Sequence, residues 1–391
     1  MKRYTIRDLP IENKNVMIRV DYNVPIEEGR ILDDTRIRVS LPTIKYALEK
    51  NAKVILISHL GRPKGKFVKE LSLRPIAKKV EELMGRAVEF IPEYIEKDVS
   101  SQIEDNKPGT LFLFENLRFY PGEENGELEF AKRLKRYADF YVNDAFSVSH
   151  RRHASIYQLP SLFQTPVAGF LMEKEIEFFF KILHEPPHPF VTLIGGKKIE
   201  DKAGAIRNLL PKVDKLLIGG GAVFTLLYAK NVKIGDSILK KEIIQEIRDI
   251  IDSPKLVLPV DFVIAKSIED EEAKVVEGEI PDGYAGFDIG PKTVELFKKE
   301  IEDAKLILWA GPMGVYENEK FLNGSKKIGE FIAELTSNKG VISVAGGGDT
   351  SAMLKKTELS GRFSHISTGG GASLELLETG TLPGIEVLKK I

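Results

Sequence analysis

The sequence contains no cysteine. That absence excludes disulfides, thiolate zinc sites and cysteine nucleophiles together, and it agrees with a reducing compartment. Net charge is nearly absent too: 57 Lys and Arg against 58 Asp and Glu leave −1 at pH 7. Such a balance argues against a protein that holds nucleic acid through a broad basic surface. No uninterrupted apolar run approaches the ~20 residues needed to span a bilayer. The N-terminus, MKRYTIRDLPIENKN, lacks the apolar core of a signal peptide. A cytoplasmic protein that engages neither membrane nor nucleic acid is the expectation. Glutamine is scarce while Lys, Arg and Glu abound, a bias shared with many thermophile proteins.

What is present is an alternation. The 391 residues suffice for two domains, each with its own core. Short apolar runs recur: VMIRV (16–20), KVILIS (53–58), LFLFE (111–115) and FYVND (140–144), then FVTLIGG (190–196), KLLIGGG (215–221), LVLPVD (256–261), LILWAGP (306–312) and VISVAGGGD (341–349). Helix-patterned stretches lie between them, such as SLRPIAKKVEELMG (72–85) with Ile76, Val80 and Leu83 on one face. Strands alternating with helices predict βαβ units, and strands apolar on both faces predict a parallel sheet covered on both sides. The stretch AGFLMEKEIEFFFKILHEPPHP (168–189) reads as one helix ended by Pro186, Pro187 and Pro189, a connector between two sheet domains. The boundaries expected are 1–167, a linking helix 168–185, and 186–379.

In open α/β sheets ligands bind beyond the carboxyl ends of the strands, and there the two halves differ. First-half strands run into polar and charged residues: Asp21 and Asn23; His59 and Arg62; Glu115, Asn116 and Arg118; Asn143 and Asp144, then His150, Arg151, Arg152 and His153. With Arg36, these arginines predict one cleft wall for a small polyanion, since guanidinium forks bind phosphate and carboxylate bidentately. For Arg36 alone, a salt bridge to Asp33 or Asp34 is an equally good reading. Second-half strands end in glycine: Gly195–Gly196, Gly219 to Gly221, Gly311, Gly346 to Gly348 and Gly369 to Gly371. Glycine lets backbone N–H groups approach an anion, and a following helix N-terminus adds its dipole. In GGGDTS, Asp349 can hold Mg²⁺ and the hydroxyls can hold phosphate. Lys197, Lys198 and Lys202 in GGKKIEDK place cations at a helix start, where an anion is needed to offset them. Neither G-x-x-x-x-G-K-[ST] nor a G-x-G-x-x-G after the first strand of either half is present. A polyanion site on one domain, a nucleotide-like site on the other and a hinge between them suit a phosphotransferase that closes to exclude water.

The motifs RVDYNVP (19–25), DDTRIR (33–38), SHLGRP (58–63), ENLRF (115–119), NDAF (143–146), GPMGVYE (311–317), GGGDT (346–350) and STGGGASLELLE (367–378) resemble those of phosphoglycerate kinases, in that family's order over nearly the whole chain. The resemblance implies two Rossmann-like domains, each a parallel β-sheet covered by helices on both faces, in a monomer whose C-terminal tail (380–391) packs back on the first domain. It implies reversible phosphoryl transfer between 1,3-bisphosphoglycerate and ADP, giving 3-phosphoglycerate and ATP, with Mg²⁺. Carried over by position, Asp21, Asn23, Arg36, His59, Arg62, Arg118 and Arg151 would hold the phosphoglycerate. Arg36, Lys198 and Gly370 would act on the transferring phosphoryl. Lys202, Gly347, Gly348 and Thr350 would meet the nucleotide phosphates, Glu317 the ribose and Asp349 the metal, while Gly220 and Gly286 would border the adenine.

The chain departs from the family pattern at Lys197, where a small residue is usual, and at Ala310, where asparagine is usual. Ser147, Val148, Ser149 and Arg152 differ from the usual GTAHRAHAS run, and Tyr22 replaces phenylalanine. A kinase for another acyl phosphate would need a differently built acid site, which Arg36 and SHLGRP fit poorly. A non-catalytic nucleotide-binding protein would treat Lys197 and Ala310 as signs of decay.

Overall fold

The protein, described from a computed structural model, is defined over residues 3–391. It divides into two compact units: the described residues up to Glu177 together with Thr381–Ile391, and Phe178–Gly380.

The first unit is built on β1 (Asn15–Arg19), a two-stranded hairpin of β2 (Ile26–Glu27) and β3 (Arg30–Ile31), then β4 (Lys53–Ile57), β5 (Val88–Ile91), β6 (Leu111–Phe114), β7 (Phe140–Asn143) and β8 (Val167–Ala168). Six of these form a parallel sheet in the order β5-β6-β4-β1-β7-β8. Val16 to Arg19 and Val54 to Ile57 are buried at every position, as strands covered on both faces require. One core cluster packs Val16, Ile18, Val54 and Leu56 against Ile44, Ile76 and Val80 on one face. The other face packs Met17, Ile55 and Ile57 against Phe112, Leu134 and Tyr141. The amphipathic stretch forms the helix Arg74–Met84, which buries Ile76 and Val80 and stops where Gly85 takes a left-handed φ of 60°. The C-terminal tail belongs to this unit: Gly384 N–H donates to the Ser149 carbonyl at 2.8 Å, and Asn143 Nδ2 donates to the Gly384 carbonyl at 3.2 Å.

The second unit contains β9 (Phe190–Ile194), β10 (Lys215–Ile218), β11 (Leu256–Val257), β12 (Asp261–Ala265), β13 (Lys274–Glu277), β14 (Ala285–Ile289), β15 (Leu306–Ala310), β16 (Ile342–Gly346) and β17 (His365–Ile366). A six-stranded parallel sheet runs β11-β10-β9-β15-β16-β17. A separate antiparallel sheet, β13-β12-β14, is an addition to the expected architecture. The run 256–261, expected as one strand, is two pieces divided around Pro259. Proline has no N–H for a ladder, so β11 stays in the parallel sheet and the chain turns into β12. Asp261 at that turn accepts the N–H groups of Lys292 and Thr293 at 3.0 and 2.7 Å, and so begins the next helix rather than serving a ligand.

The connector forms the helix Phe170–His184, and the division between units falls inside it, between Glu177 and Phe178. Its first turn is anchored within the first unit. Thr43 Oγ1 accepts from Phe170 N–H at 2.9 Å, and Asp144 Oδ1 accepts from Met172 N–H at 3.1 Å. Burial pushes the Asp144 carboxyl up to about 7.

Candidate active site

On the first unit, the residues beyond β1, β4, β6 and β7 gather around Asp21. Its carboxylate pairs with Arg36 and accepts from Ser147 Oγ, and it takes the Asn23 N–H at 3.0 Å. The alternative partners of Arg36 are engaged elsewhere. Asp34 grips Arg38 through two bonds of 2.8 and 2.9 Å, and Asp33 accepts the Thr35 N–H at 2.9 Å. Asn23 Oδ1 accepts from Gly61 N–H at 2.9 Å, and Arg118 Nη1 donates to the Gly61 carbonyl at 2.8 Å, so both hold the loop that carries Arg62. Arg62 and Arg151 are exposed.

His59 is buried, and its Nδ1 lies 3.2 Å from Arg19 Nη2 and 4.0 Å from Asp21. An arginine only donates, so Nδ1 accepts and the ring proton sits on Nε2. Burial, then the charges of Arg19 and Arg118, hold the His59 pKa well below its ordinary value. His59 is therefore a neutral donor. Arg19 is the residue that sequence reading passed over. It lies beneath this cluster, 1% exposed, and donates from Nε to Ser155 Oγ at 2.9 Å; that hydroxyl in turn donates to Glu123 at 2.6 Å. The available signal was an arginine inside VMIRV, a strand otherwise apolar on both faces. Asn143 and Asp144, also among the polar strand ends, serve the tail and the connector helix instead. Arg152 points to structure as well, its guanidinium lying 4.5 Å from the Tyr157 ring centroid.

His153 lies beside Glu123 at 4.0 Å, and burial together with Arg118 and Arg19 lowers its pKa to about 3. Both histidines are neutral when folded and take up a proton once unfolded below pH 6.5. The unfolded state thus binds more protons, so stability rises with pH towards 6.5 and is lost on acidification. Each histidine contributes a slope of about 1.4 kcal/mol per pH unit. Urea unfolding of His153→Gln between pH 4.5 and 6.5 is expected to show a slope smaller by one proton. A slope equal to wild type would refute the neutral assignment.

On the second unit the glycines separate into two kinds. Gly195, Gly196, Gly220 and Gly311 interlock: Gly196 N–H donates to the Pro312 carbonyl at 2.7 Å and Gly220 N–H to the Met313 carbonyl at 2.9 Å. A Cβ on Gly220 would stand 2.7 Å from Gly196 N. These glycines let loops pack. Gly348, Gly370 and Gly371 differ, because a Cβ on any of them would meet nothing within 4 Å. Gly347, at φ 98° and ψ 146°, turns β16 into the helix Gly348–Lys356, and Gly370, at φ 49°, opens the helix Gly371–Thr379. Both helix N-termini leave first-turn N–H groups without intrahelical partners beside open space.

Thr350 is buried, and its hydroxyl is committed: it donates to the Gly346 carbonyl at 2.8 Å and accepts from Gly311 N–H at 2.7 Å. What Thr350 offers a phosphate is its N–H. Asp349 is exposed, and its carboxylate has no hydrogen bond or ion pair among the described residues. Those residues hold no cluster of three or more metal-ligating side chains. A lone free carboxylate beside open N–H groups fits a magnesium ion bound mostly through phosphate oxygens.

Lys202 is the N-cap of the helix Ala203–Leu209, and Lys197 and Lys198 lie in the loop before it. The 3-10 turn just before it, Glu200–Lys202, carries Glu200 and Asp201, so the approach to the helix is not the bare cationic end expected. Lys202 Nζ donates to the Lys198 carbonyl at 3.2 Å. Burial lowers its pKa, against the opposing charges of Asp201, Asp349 and Glu200. Lys197, Lys198 and Glu317 are exposed. Lys356 Nζ donates to the carbonyls of Tyr316 and Glu317 at 3.0 and 3.2 Å, fixing the loop of Glu317 to the helix that begins at Gly348. Gly220 lines a small hollow with Val223, Phe224 and Met313, and Gly286 backs the Phe224 ring. Ala310, where an amide was expected, is buried at the end of β15.

A cationic acid site on one α/β unit and an open glycine cradle on the other define a phosphotransferase. The phosphoglycerate kinase family model matches residues 6–380. A phosphoglycerate kinase of Pseudothermotoga lettingae is 48% identical over 98% of both chains. One from Chlamydia trachomatis is 46% identical over 99% of both. Among solved structures, phosphoglycerate kinase from Coxiella burnetii superposes with a TM-score of 0.89 at 37% identity, covering 99% of this chain and 98% of that one. Phosphoglycerate kinase from Pyrococcus horikoshii gives 0.85 at 30% identity, covering 98% of each. The chain belongs to the phosphoglycerate kinase family.

Proposed function

We propose that the chain transfers a phosphoryl group reversibly between 1,3-bisphosphoglycerate and ADP, as a cytoplasmic monomer acting in glycolysis. The observation that carries this reading is the division of chemistry: cations around a neutral histidine on one unit, open helix N-termini beside a free carboxylate on the other.

Asp21, Asn23, His59, Arg62, Arg118 and Arg151 hold the phosphoglycerate, His59 donating from Nε2. In the ATP-forming direction a terminal oxygen of ADP attacks the acyl phosphorus and the carboxylate leaves, so no proton need be moved. Arg36, freed from Asp21 by the arriving acid, lies at the transferring group with Lys198 and the backbone of Gly370. Lys202 and the N–H groups of Gly347, Gly348 and Thr350 take the nucleotide phosphates. Glu317 takes the ribose, and Gly220 and Gly286 border the adenine. Asp349 holds Mg²⁺, which neutralises phosphate charge when bound.

The two ligands must meet for transfer, and the connector helix is the proposed hinge. Scattering is expected to give a smaller radius of gyration with both substrates than with either alone. No compaction would remove closure from the mechanism. A coupled assay with 3-phosphoglycerate and ATP tests the reaction itself, and absence of turnover there would return the chain to a binding role.

Asp349→Asn isolates the metal. The amide keeps the shape and the helix start but loses the anionic ligand, so affinity for MgATP is expected to drop by roughly tenfold or more, while metal-free ADP binds nearly as before. Calorimetry with both ligands decides it, and equal weakening would argue against a metal role.

A further inference from the structure

A cavity of about 760 Å³ opens on the first unit at the carboxyl ends of β5 and β6, the side of a parallel sheet where ligands bind. The β2–β3 hairpin, residues 67–72 and the first turns of the helix Arg74–Met84 wall it. None of Asp21, Asn23, Arg36, His59, Arg62, Arg118 or Arg151 lines it.

Its charge is one-sided. Arg30, Lys69, Arg74, Lys78 and Lys79 face Glu82 and Glu115. Glu115 is buried and already engaged, accepting from Ser72 Oγ at 2.6 Å and from the N–H groups of Leu73 and Asn116 at 2.8 Å each. Glu82 is matched by Lys79 at 3.0 Å, and Arg74 lies 4.5 Å from the Phe90 ring centroid. Arg30, Lys69 and Lys78 remain with no carboxylate at ion-pair distance among the described residues. Three cations free of carboxylates thus share the wall of one cavity. Beside them Phe67 stands 69% exposed, touching Phe119 only by ring edge. The volume is that of a small organic ligand, far above one phosphate ion.

We propose that this cavity is a second ligand site, for a compound bearing an oligophosphate, with Arg30, Lys69 and Lys78 holding the phosphates. The same chemistry comes from inorganic tripolyphosphate or from a nucleoside triphosphate, whose base would stack on Phe67.

The test is calorimetry on the full chain at 0.1 M salt, with 3-phosphoglycerate and MgADP present in excess to fill the other sites. Tripolyphosphate is expected to bind at one remaining site. The Lys69→Gln/Lys78→Gln double variant is expected to weaken it roughly tenfold or more, the scale of one or two charge-assisted hydrogen bonds, with kcat at saturating substrates unchanged. Repeating the titration with a non-hydrolysable ATP analogue on wild type and Phe67→Ala separates the sources. Weakening of the analogue alone assigns a nucleotide; no change in either assigns the inorganic anion, and both results lie within the proposal. Absence of residual tripolyphosphate binding, or binding that the double variant leaves intact, overturns it.

Discussion

Arg36→Ala is expected to cut kcat by roughly 10³ or more, the range of an arginine that stabilises a transferring phosphoryl group. The structure makes this a clean substitution. Arg36 begins its helix with a side chain 38% exposed, so little packing is lost. Its partner Asp21 keeps Ser147 and the Asn23 N–H, so the carboxylate stays oriented for the acid. Binding of 3-phosphoglycerate is expected to weaken only modestly, because Arg62, Arg118 and Arg151 remain to pair with its anionic groups. Nucleotide binding to the second unit is expected to be unchanged. A charge that acts mainly in the transition state lowers kcat far more than it raises KM. Steady-state kinetics with titration of each substrate reads all three quantities. Near-normal kcat would take Arg36 out of the reaction.

Lys198→Ala is expected to lower kcat by roughly 10²–10³, the effect of removing one preorganised donor from developing charge. The neighbouring Lys197→Ala is expected to leave kcat nearly intact and to change the nucleotide KM. Both side chains are exposed, so solvent access does not tell them apart. Their backbones do. A Cβ on Gly221 would stand 3.3 Å from the Lys197 Cα, which seats Lys197 against the glycine loop that includes Gly220. The Lys198 carbonyl instead receives the Lys202 ammonium at 3.2 Å, on the side of Asp349. The opposite kinetic pattern would show the two lysines exchanged in role.

Much of this protein was legible from local pattern. Continuous apolar runs, buried on both faces, and the helix stretches between them are properties of neighbouring residues, so nine of the twelve strands of the two parallel sheets were predicted to within a few positions, and only the edge strands β5, β8 and β17 were missed. The strands β12, β13 and β14 were not predicted either, because short half-exposed segments such as KVVE carry little apolar signal and acquire strand character only from their partners. Motif order gave the family and a set of candidate site residues, and polar strand ends marked the side of the sheet on which those candidates gather. Local pattern assigned every second-half glycine to one role. The structure divides them, because whether a glycine faces a carbonyl or open space depends on chain more than a hundred residues away, as for Gly195 and Pro312.

The sequence by itself determined the alternation of strand and helix and the two unlike halves, since each depends on side-chain type and short-range spacing, and its motifs supplied the candidate residues of the two ligand sets through their resemblance to one family. Tertiary structure alone decided the buried Arg19 under His59, and with it the imidazole's tautomer and charge. It also settled Arg36 on Asp21 rather than Asp33 or Asp34, and left Arg30, Lys69 and Lys78 unmatched around one cavity. Those are contacts across 15 to 136 positions of chain. Burial and Coulomb energy depend on distance in space, which no local reading of residues supplies.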